Sequence, residues 1–336
     1  MRRFILYHCL AALSLHVQSQ IVPDEALQRA MQIEETAFLQ SMKPGLQHTQ
    51  MLAIRAAMCG DEKLLQQIRM SRNVVPSLPQ DVDTFAIAAN MKLFRPSSPS
   101  SKKRPILLYL HGGGWCFGSI NSCSRFCAAV ALKADCIVVA LNYRLAPQCP
   151  YPASLDDCRE AFYFIKRHAI EWGGDTTRVS IGGDSAGGNL AISTAMLIGK
   201  GVVRSVIPIY PVTELFTTPT HSWTTYAKGY GDDAELLEAF NEAYANGEQR
   251  NPFVSVGLAT DEQMRLLPPV LLLSAGHDIL YDQTANWAKR LKRLHHSLDY
   301  HVFPTATHLF ITVPGQPTAF NKAVEIVAQY ISRSSL

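Results

Sequence analysis

From residue 104 to the C-terminus, short apolar runs alternate with longer stretches in which apolar residues recur at helical spacing. The short runs are typical of buried strands, and the longer stretches are typical of amphipathic helices. This alternation predicts a mainly parallel sheet with helices on both faces. The predicted strands cover 106–110, 136–141, 178–181, 203–209, 270–274 and 298–303, and the predicted helices cover 122–132, 155–172 and 189–197.

Two other segments are predicted to be mainly helical. Residues from about 23 to 72 have helical periodicity that is interrupted at residues 43–45, which predicts two or three amphipathic helices. Residues 83–94 are predicted to be extended, and a polar turn over 95–103 leads into the sheet. Residues from about 212 to 254 are helix-like and polar, which indicates an insertion in the sheet domain.

The predicted strand 178–181 runs into a glycine-rich turn, and a helical pattern begins directly after a serine. Gly183-x-Ser185-x-Gly187 matches the nucleophile elbow, a sharp strand-to-helix turn with a strained serine at its tip. The start of the following helix directs unpaired N–H groups toward any oxyanion that forms there, and the N–H of Ala186 is the natural donor. Because such pentapeptides also occur in ordinary turns, the surrounding motifs decide between the two interpretations.

A second glycine motif follows the strand that ends at Leu110. The segment His111-Gly112-Gly113-Gly114-Trp115 matches the oxyanion loop of lipases and esterases, in which glycines allow two backbone N–H groups to point at one spot. Trp115 is predicted either to line the substrate pocket or to pack in the core.

A serine nucleophile requires a histidine base and a carboxylate that orients the base, in the chain order Ser, Asp, His for this type of elbow. Asp278 follows the predicted strand 270–274, and His308 follows the predicted strand 298–303, so both are expected at the carboxyl edge of the sheet. Asp282 is the rival carboxylate, with helix capping as its alternative role.

Four other histidines compete with His308 in the C-terminal third of the chain. His295 and His296 are predicted to lie on the solvated face of a basic helix, and His301 lies within a strand pattern. His277 directly precedes Asp278, and its side chain is expected to point elsewhere. Position along the chain therefore favours His308.

With these motifs, the sequence resembles the hormone-sensitive-lipase-like esterases, the GDXG branch of the α/β-hydrolases. The likeness extends from about residue 38 to the C-terminus. The resemblance implies an α/β fold with an eight-stranded, mostly parallel sheet, helices on both faces and a helical cap. The matching segments are 111–115, 142–147, 152–157, 183–189, 268–269, Asp278 and 308–310.

The resemblance also implies roles for individual residues. It makes Ser185 the nucleophile, His308 the base and Asp278 the acid, and it makes Asp184 a structural partner of the elbow. The implied oxyanion donors are Gly112, Gly113 and Ala186.

Two positions depart from the family pattern. Ile279 replaces the proline that usually follows the catalytic aspartate, and Gln148 replaces the usual glutamate after Ala-Pro. We expect the first change to affect the loop that aims Asp278 and the second to weaken a structural ion pair.

The N-terminus has the order of a secretory signal, with a basic start, an apolar stretch over 4–15 and a small residue before Gln20. His8 and His16 interrupt the apolar stretch, so a retained N-terminal helix is the alternative. A cleaved signal would make the protein periplasmic or secreted, and a retained segment would make it cytoplasmic. The segment is too short for a mature membrane anchor, and stable membrane insertion is not expected.

These patterns predict a division of the chain. Residues 1–19 would be the signal peptide, residues 20–80 the N-terminal cap helices, and residues 81–336 the catalytic domain, with the second part of the cap inserted at about 212–254. Cap helices of this kind fold over the mouth of an active site.

Composition excludes several classes of partner. The formal net charge is +3, and Lys and Arg are spread along the chain, so neither nucleic acid nor an anionic membrane surface is indicated. Cys123 and Cys127 lie four positions apart on a predicted helix, but no second Cys or His pair with zinc spacing follows. Neither a metal nor a cofactor is predicted.

The predicted function is hydrolysis of short- to medium-chain carboxylic esters, with acyl groups of about two to eight carbons by analogy with the family. An amidase or deacetylase with the same triad is the alternative. A non-catalytic receptor on a hydrolase fold is disfavoured, because all three triad residues are present. The expected partner is a small-molecule ester, and a homodimer is left open.

Overall fold

The computed structural model of the chain describes residues 20–21, 25–216 and 219–333. Its centre is a nine-stranded sheet with the strand order β1-β9-β8-β7-β6-β4-β5-β3-β2. The strands are β1 (Gln20–Ile21), β2 (Val82–Ala88), β3 (Met91–Pro96), β4 (Arg104–Leu110), β5 (Ile137–Leu141), β6 (Gly174–Asp184), β7 (Val206–Ile209), β8 (Val270–His277) and β9 (Leu298–Thr307).

Most neighbouring strands in the sheet are parallel. β3 pairs antiparallel with both β2 and β5, and the other pairs are parallel. The predicted mostly parallel sheet of eight strands is confirmed, and the two-residue β1 adds a ninth strand at one edge. The predicted signal segment 1–19 lies outside the described residues.

Helices flank the sheet, precede it and interrupt it after β7. They are α1 (Glu25–Ser41), α2 (Leu46–Met58), α3 (Lys63–Arg72), α4 (Ile120–Ala134), α5 (Ala153–His168), α6 (Ala186–Ile198), α7 (His221–Thr225), α8 (Ala234–Ala245), α9 (Asp261–Arg265), α10 (Tyr281–Arg293) and α11 (Pro317–Arg333), with 3-10 turns at Ala169–Trp172 and Val256–Leu258. In the part of the chain that the structure covers, no helix is both long and apolar enough to cross a bilayer.

Strand β4 shows why the central strands are continuous apolar runs. Successive residues of a strand point to opposite faces. Ile106 and Leu108 pack in the cluster that includes α5, α6 and α10, whereas Leu107 and Tyr109 pack in the cluster that includes α4 and α11. Because helices cover both faces, a polar side chain on either face would be buried.

Strands β8 and β9 are longer than predicted. Residues 275–277 and 304–307 were expected in loops, but they continue the paired strands, with His277 opposite Thr307. Asp278 and His308 therefore each come directly after the last residue of one of two neighbouring parallel strands. This pairing brings the two residues to the same edge of the sheet.

Other boundaries differ as well. Strand β6 begins at Gly174, before the predicted start, and β7 begins later than predicted, at Val206. The prediction that His295 and His296 lie on a helix is wrong, because α10 ends at Arg293.

The two segments predicted to form the cap lie against each other. Helix α2 packs against α8, which belongs to the insertion after β7. The side-chain amide of Asn189, on α6, donates hydrogen bonds to the carbonyl oxygens of Val212 at 2.9 Å and Val254 at 2.8 Å. A single side chain next to the nucleophile elbow therefore holds both ends of the insertion.

Candidate active site

Ser185 lies at the sharp junction between β6 and α6, with φ 55° and ψ −119°. This is a strained conformation for a residue with a side chain. A Cβ atom on Gly187 would lie 2.0 Å from the carbonyl oxygen of Leu110, and a Cβ atom on Gly183 would lie 2.4 Å from the same oxygen. The elbow therefore requires glycine on both sides, because the end of β4 approaches it so closely.

The structure brings the three predicted triad residues together. His308 Nε2 lies 2.8 Å from Ser185 Oγ, and His308 Nδ1 lies 2.8 Å from Asp278 Oδ2. All three are buried, and Ser185 and His308 line a cavity. Asp278 is also fixed by its other oxygen, which accepts a hydrogen bond from the N–H of Leu280 at 2.8 Å.

The competing residues lie elsewhere. Asp282 Oδ2 accepts a hydrogen bond from the backbone N–H of Ser222 at 2.8 Å, so it supports the first turn of α7. His277 pairs with Glu35 on α1, and His301 Nε2 lies 2.9 Å from Asp299 Oδ1. His296 Nε2 is 3.0 Å from a backbone carbonyl oxygen. Of the histidines that the structure describes, His308 is the one that contacts Ser185.

The charges around His308 favour its protonated form. Burial lowers the pKa of this imidazole, but the carboxylates of Asp278, Asp232 and Asp184 outweigh that effect and raise the pKa to about 9. Burial raises the pKa of Asp184 to about 6, although hydrogen bonds from Tyr109 and Gly112 oppose the shift.

The glycine loop differs from the prediction at its first glycine. The N–H of Gly112 donates to Asp184 Oδ1 at 3.1 Å, so it does not point freely at Ser185. Within the described ranges, the backbone N–H groups of Gly113, Gly114 and Ala186 have no hydrogen-bond acceptor. Gly113 and Ala186 remain candidate oxyanion donors, and Gly112 does not.

Trp115 does not line the cavity at Ser185. Its side chain is only 1% exposed, and its ring stacks on Tyr244 with centroids 4.3 Å apart. Of the two predicted roles, the structure supports core packing and contradicts the pocket wall.

A cavity of about 460 Å³ opens onto Ser185 and His308. Its walls are mostly apolar and come from α1, α2, α3, α8 and the loop after β9. The apolar side chains that line it are Phe38, Met42, Leu46, Ile68, Tyr210, Phe240, Leu309 and Val313.

The sequence motifs did not identify two residues beside His308. Asp232 Oδ2 lies 3.6 Å from His308 Nε2, and the Tyr210 ring packs against the imidazole with centroids 4.6 Å apart. Tyr210 directly follows β7, so its position at the carboxyl edge of the sheet could have been used to predict that it lies near the triad. Asp232 lies in the insertion, where no motif marks it.

The two departures from the family pattern leave the site intact. Ile279 is buried, and Asp278 still reaches His308. Gln148 Oε1 accepts a hydrogen bond from Arg69 Nη1 at 3.0 Å, so a bond between a charged and a neutral side chain stands where the family pattern implies an ion pair.

The described residues contain no candidate metal site. No set of three His, Cys, Asp or Glu side chains in the described part of the chain is arranged to hold a metal ion. The seven cysteines described, among them Cys123 and Cys127, are all free thiols.

The fold and the site together define the class of protein. Residues 107–312, more than half of the chain, match the family described as alpha/beta hydrolase fold. The chain belongs to this family, and within it to the hormone-sensitive-lipase-like esterases.

Several known proteins are similar to this chain. Carboxylic ester hydrolase LipN of Mycobacterium tuberculosis (strain ATCC 25618 / H37Rv) is 31% identical over 255 residues, which cover 71% of this chain and 66% of LipN. Ethyl acetate hydrolase of Pseudomonas putida is 33% identical over 228 residues, which cover 66% of this chain and 71% of that protein. The solved structure of ester-hydrolase EH1AB1 from the metagenome of Lake Arreo has a TM-score of 0.72 at 28% identity and covers 94% of this chain and 99% of that chain.

Proposed function

We propose that this protein is a serine carboxylesterase that hydrolyses short- to medium-chain acyl esters. The observation that carries the proposal is the chain of hydrogen bonds from Asp278 through His308 to Ser185 at a mostly apolar cavity. The similarity to proteins named carboxylic ester hydrolase and ethyl acetate hydrolase supports the same reaction.

In the first half of the reaction, Ser185 Oγ attacks the acyl carbon while His308 Nε2 accepts its proton. Asp278 holds the imidazole in the required tautomer through Nδ1 and stabilises the imidazolium. The bond from the acyl carbon to the alcohol oxygen then breaks, and His308 returns the proton to the departing alcohol. The product at this stage is an acyl-enzyme on Ser185.

In the second half, water takes the place of the alcohol. His308 accepts a proton from the water as it attacks the acyl carbon, and the same proton then passes to Ser185 Oγ as the carboxylic acid is released. The oxyanion formed in both halves accepts hydrogen bonds from the N–H groups of Gly113 and Ala186, with Gly114 as a third donor. No cofactor enters this scheme.

The cavity supports a limit on acyl length. Each methylene gains about 0.8 kcal/mol only while cavity wall remains to bury it. Helices α1–α3 and the insertion supply much of that wall, so we propose that they act together as a cap. Rates should rise over the shortest acyl chains and fall once the chain reaches the wall.

Labelling with a fluorophosphonate tests the nucleophile. We expect peptide mapping to find the label on Ser185, and undiminished labelling of Ser185→Ala would contradict the assignment.

The kinetics of variants test the triad as a whole. Ser185→Ala and His308→Ala should each lose most activity, and Asp278→Asn should lose somewhat less. Asp282→Asn is the matched control, because its amide oxygen can still accept the Ser222 hydrogen bond. Full activity in Asp278→Asn would refute its role.

The same machinery can cleave amides, since that reaction differs mainly in the protonation of the leaving group. Comparing kcat/KM for a matched aryl ester and anilide separates the two activities. We expect the ester to be strongly preferred, and comparable values would identify an amidase.

A further inference from the structure

Asp232 occupies a position that the proposed esterase mechanism does not use. Its Oδ2 lies 3.6 Å from His308 Nε2, the atom that returns a proton to the departing alcohol. The Asp232 side chain is only 16% exposed and lines the cavity. It is therefore a cavity-lining carboxylate beside the nitrogen that exchanges protons with the substrate.

The loop that carries Asp232 is held from both sides. The side-chain amide of Gln47, on α2, donates to the carbonyl oxygen of Gly231 and accepts from the N–H of Asp233. Gln47 is itself buried. Asp233 stabilises the loop by a hydrogen bond inside it, because its Oδ1 accepts from the N–H of Gly229 at 2.7 Å. The two parts of the cap together thus fix the backbone on either side of Asp232.

The carboxylate of Asp232 retains capacity to accept hydrogen bonds. Among the described residues it receives no hydrogen bond, and its close charge contact is with His308. Arg72, on α3, also lines the cavity, and its charge acts on Asp232, but its guanidinium lies over the Phe117 ring, 5.2 Å from the centroid, and donates no hydrogen bond to Asp232. A largely buried acceptor that receives no hydrogen bond is costly, so a substrate group that donates to it is favoured.

We propose that Asp232 selects esters whose alcohol part carries a hydrogen-bond donor, a hydroxyl or a protonated amine, on the second carbon from the ester oxygen. The departing oxygen must lie within hydrogen-bond reach of His308 Nε2 to receive its proton. A donor on the second carbon is then close enough to contact Asp232 Oδ2, which lies beside that same nitrogen. This inference rests on the proposed esterase function.

The preferred substrates would be esters of diols, polyols and amino alcohols. A hydrogen bond to an ionised carboxylate is about twice as strong as one between neutral groups. An alcohol part that is purely apolar would instead leave Asp232 desolvated and without a hydrogen-bond donor, and sites built around a polar contact discriminate strongly against such analogues.

Two pairs of acetates of nearly equal size test the inference. 2-Hydroxyethyl acetate is compared with propyl acetate, and 2-(dimethylamino)ethyl acetate is compared with 3-methylbutyl acetate at a pH where the amine is protonated. For the native protein we expect kcat/KM to favour the donor-bearing member of at least one pair by about tenfold or more. The pair that shows the preference distinguishes a hydroxyl from an ammonium.

Variants assign the preference to Asp232. Asp232→Ala should bring both ratios close to one. Asp232→Asn should abolish the ammonium preference and retain part of the hydroxyl preference, because the amide oxygen still accepts. Gln47→Ala should weaken the preference, since it frees the loop without removing the carboxylate. Asp233→Asn is the matched control and should keep the native ratios, because its oxygen can still accept from Gly229.

The outcomes separate the two proposals. Ratios close to one in the native protein, or ratios unchanged in Asp232→Ala, overturn the inference. If p-nitrophenyl acetate is still hydrolysed in a Ser185-dependent way, the proposed esterase function is retained. An equal loss of rate on every ester in Asp232→Ala also overturns it, since that result indicates a role in water attack or folding. If no ester is hydrolysed in a Ser185-dependent way, the esterase function fails, and the inference fails with it.

Discussion

The backbone N–H of Gly112 donates a hydrogen bond to Oδ1 of Asp184 at 3.1 Å. Asp184 directly precedes Ser185, so this bond joins the glycine loop after β4 to the nucleophile elbow after β6. The same carboxylate oxygen accepts from the hydroxyl of Tyr109 at 2.9 Å. Gly112 therefore sets the distance between the candidate oxyanion donors and the nucleophile, although it does not supply a donor itself.

Removing this carboxylate should loosen the oxyanion loop. We expect Asp184→Ala to lower kcat/KM and to reduce the free energy of unfolding by about 1–3 kcal/mol for each buried donor left unpaired. Asp184→Asn should retain most of the native kcat/KM and most of the native stability, because its amide oxygen can accept hydrogen bonds from Tyr109 and Gly112. Urea unfolding and ester hydrolysis measure the two quantities, and native kcat/KM in Asp184→Ala would show that the loop does not depend on this bond.

The rate should depend on the protonation of His308. Only the neutral imidazole can accept the proton of Ser185, and the neighbouring carboxylates raise the pKa of His308 to about 9 although burial opposes the shift. We therefore expect kcat/KM to increase with pH, with a midpoint near pH 9, and to level off only when the pH is well above that midpoint. Asp278, Asp232 and Asp184 are the groups that raise this pKa, so Asp232→Asn should move the midpoint to lower pH. A pH profile of both proteins with a p-nitrophenyl ester checks the shift, and identical midpoints would contradict it.

The glycine after Ser185 should not tolerate a side chain. A Cβ atom on Gly187 would lie 2.0 Å from one backbone carbonyl oxygen and 2.6 Å from another, and backbone atoms cannot move aside as a flexible side chain can. We expect Gly187→Ala to abolish fluorophosphonate labelling and to destabilise the fold by more than about 2 kcal/mol. Gly257→Ala is a milder comparison, because its Cβ would lie 2.9 Å from the Glu214 side chain and 3.0 Å from the nearest backbone oxygen. Soluble, fully labelled Gly187→Ala protein would refute the close approach.

The length of the preferred acyl chain should follow the free cavity volume. Ile68, on α3, lines the cavity, and Ile68→Trp should fill part of it and shift the optimum to shorter acyl groups. Met70 lies on the same helix but is 77% exposed, so Met70→Trp should leave the optimum unchanged. A series of p-nitrophenyl esters from acetate to palmitate, in soluble and emulsified form, measures the optimum. A maximum at palmitate, or a rise in activity at the oil interface, would indicate a true lipase instead.

Sequence motifs could group the three proposed triad residues because each of them directly follows a strand. In a parallel sheet, residues that follow neighbouring strands meet at one edge, so Ser185, Asp278 and His308 could be grouped without knowing any distance. The same reasoning underlies the prediction of the mostly parallel sheet, since buried strands and amphipathic helices have different local periods.

The errors arose where a side chain's direction or partner mattered. Trp115 adjoins the oxyanion glycines in the chain, but its ring stacks on Tyr244, which belongs to the insertion. Asp232 carries no motif, and its approach to His308 depends on the contact between Gln47 and the loop around it.

The sequence by itself determined the order of strands and helices, the strained elbow at Ser185 and the residue types required for nucleophilic catalysis, because these depend on local periodicity, glycine placement and chain order. The tertiary structure alone decided which glycine N–H is already paired and which carboxylate faces His308 Nε2. Those outcomes depend on contacts between segments far apart in the chain, and their geometry is set by how the N-terminal helices and the insertion pack against the sheet.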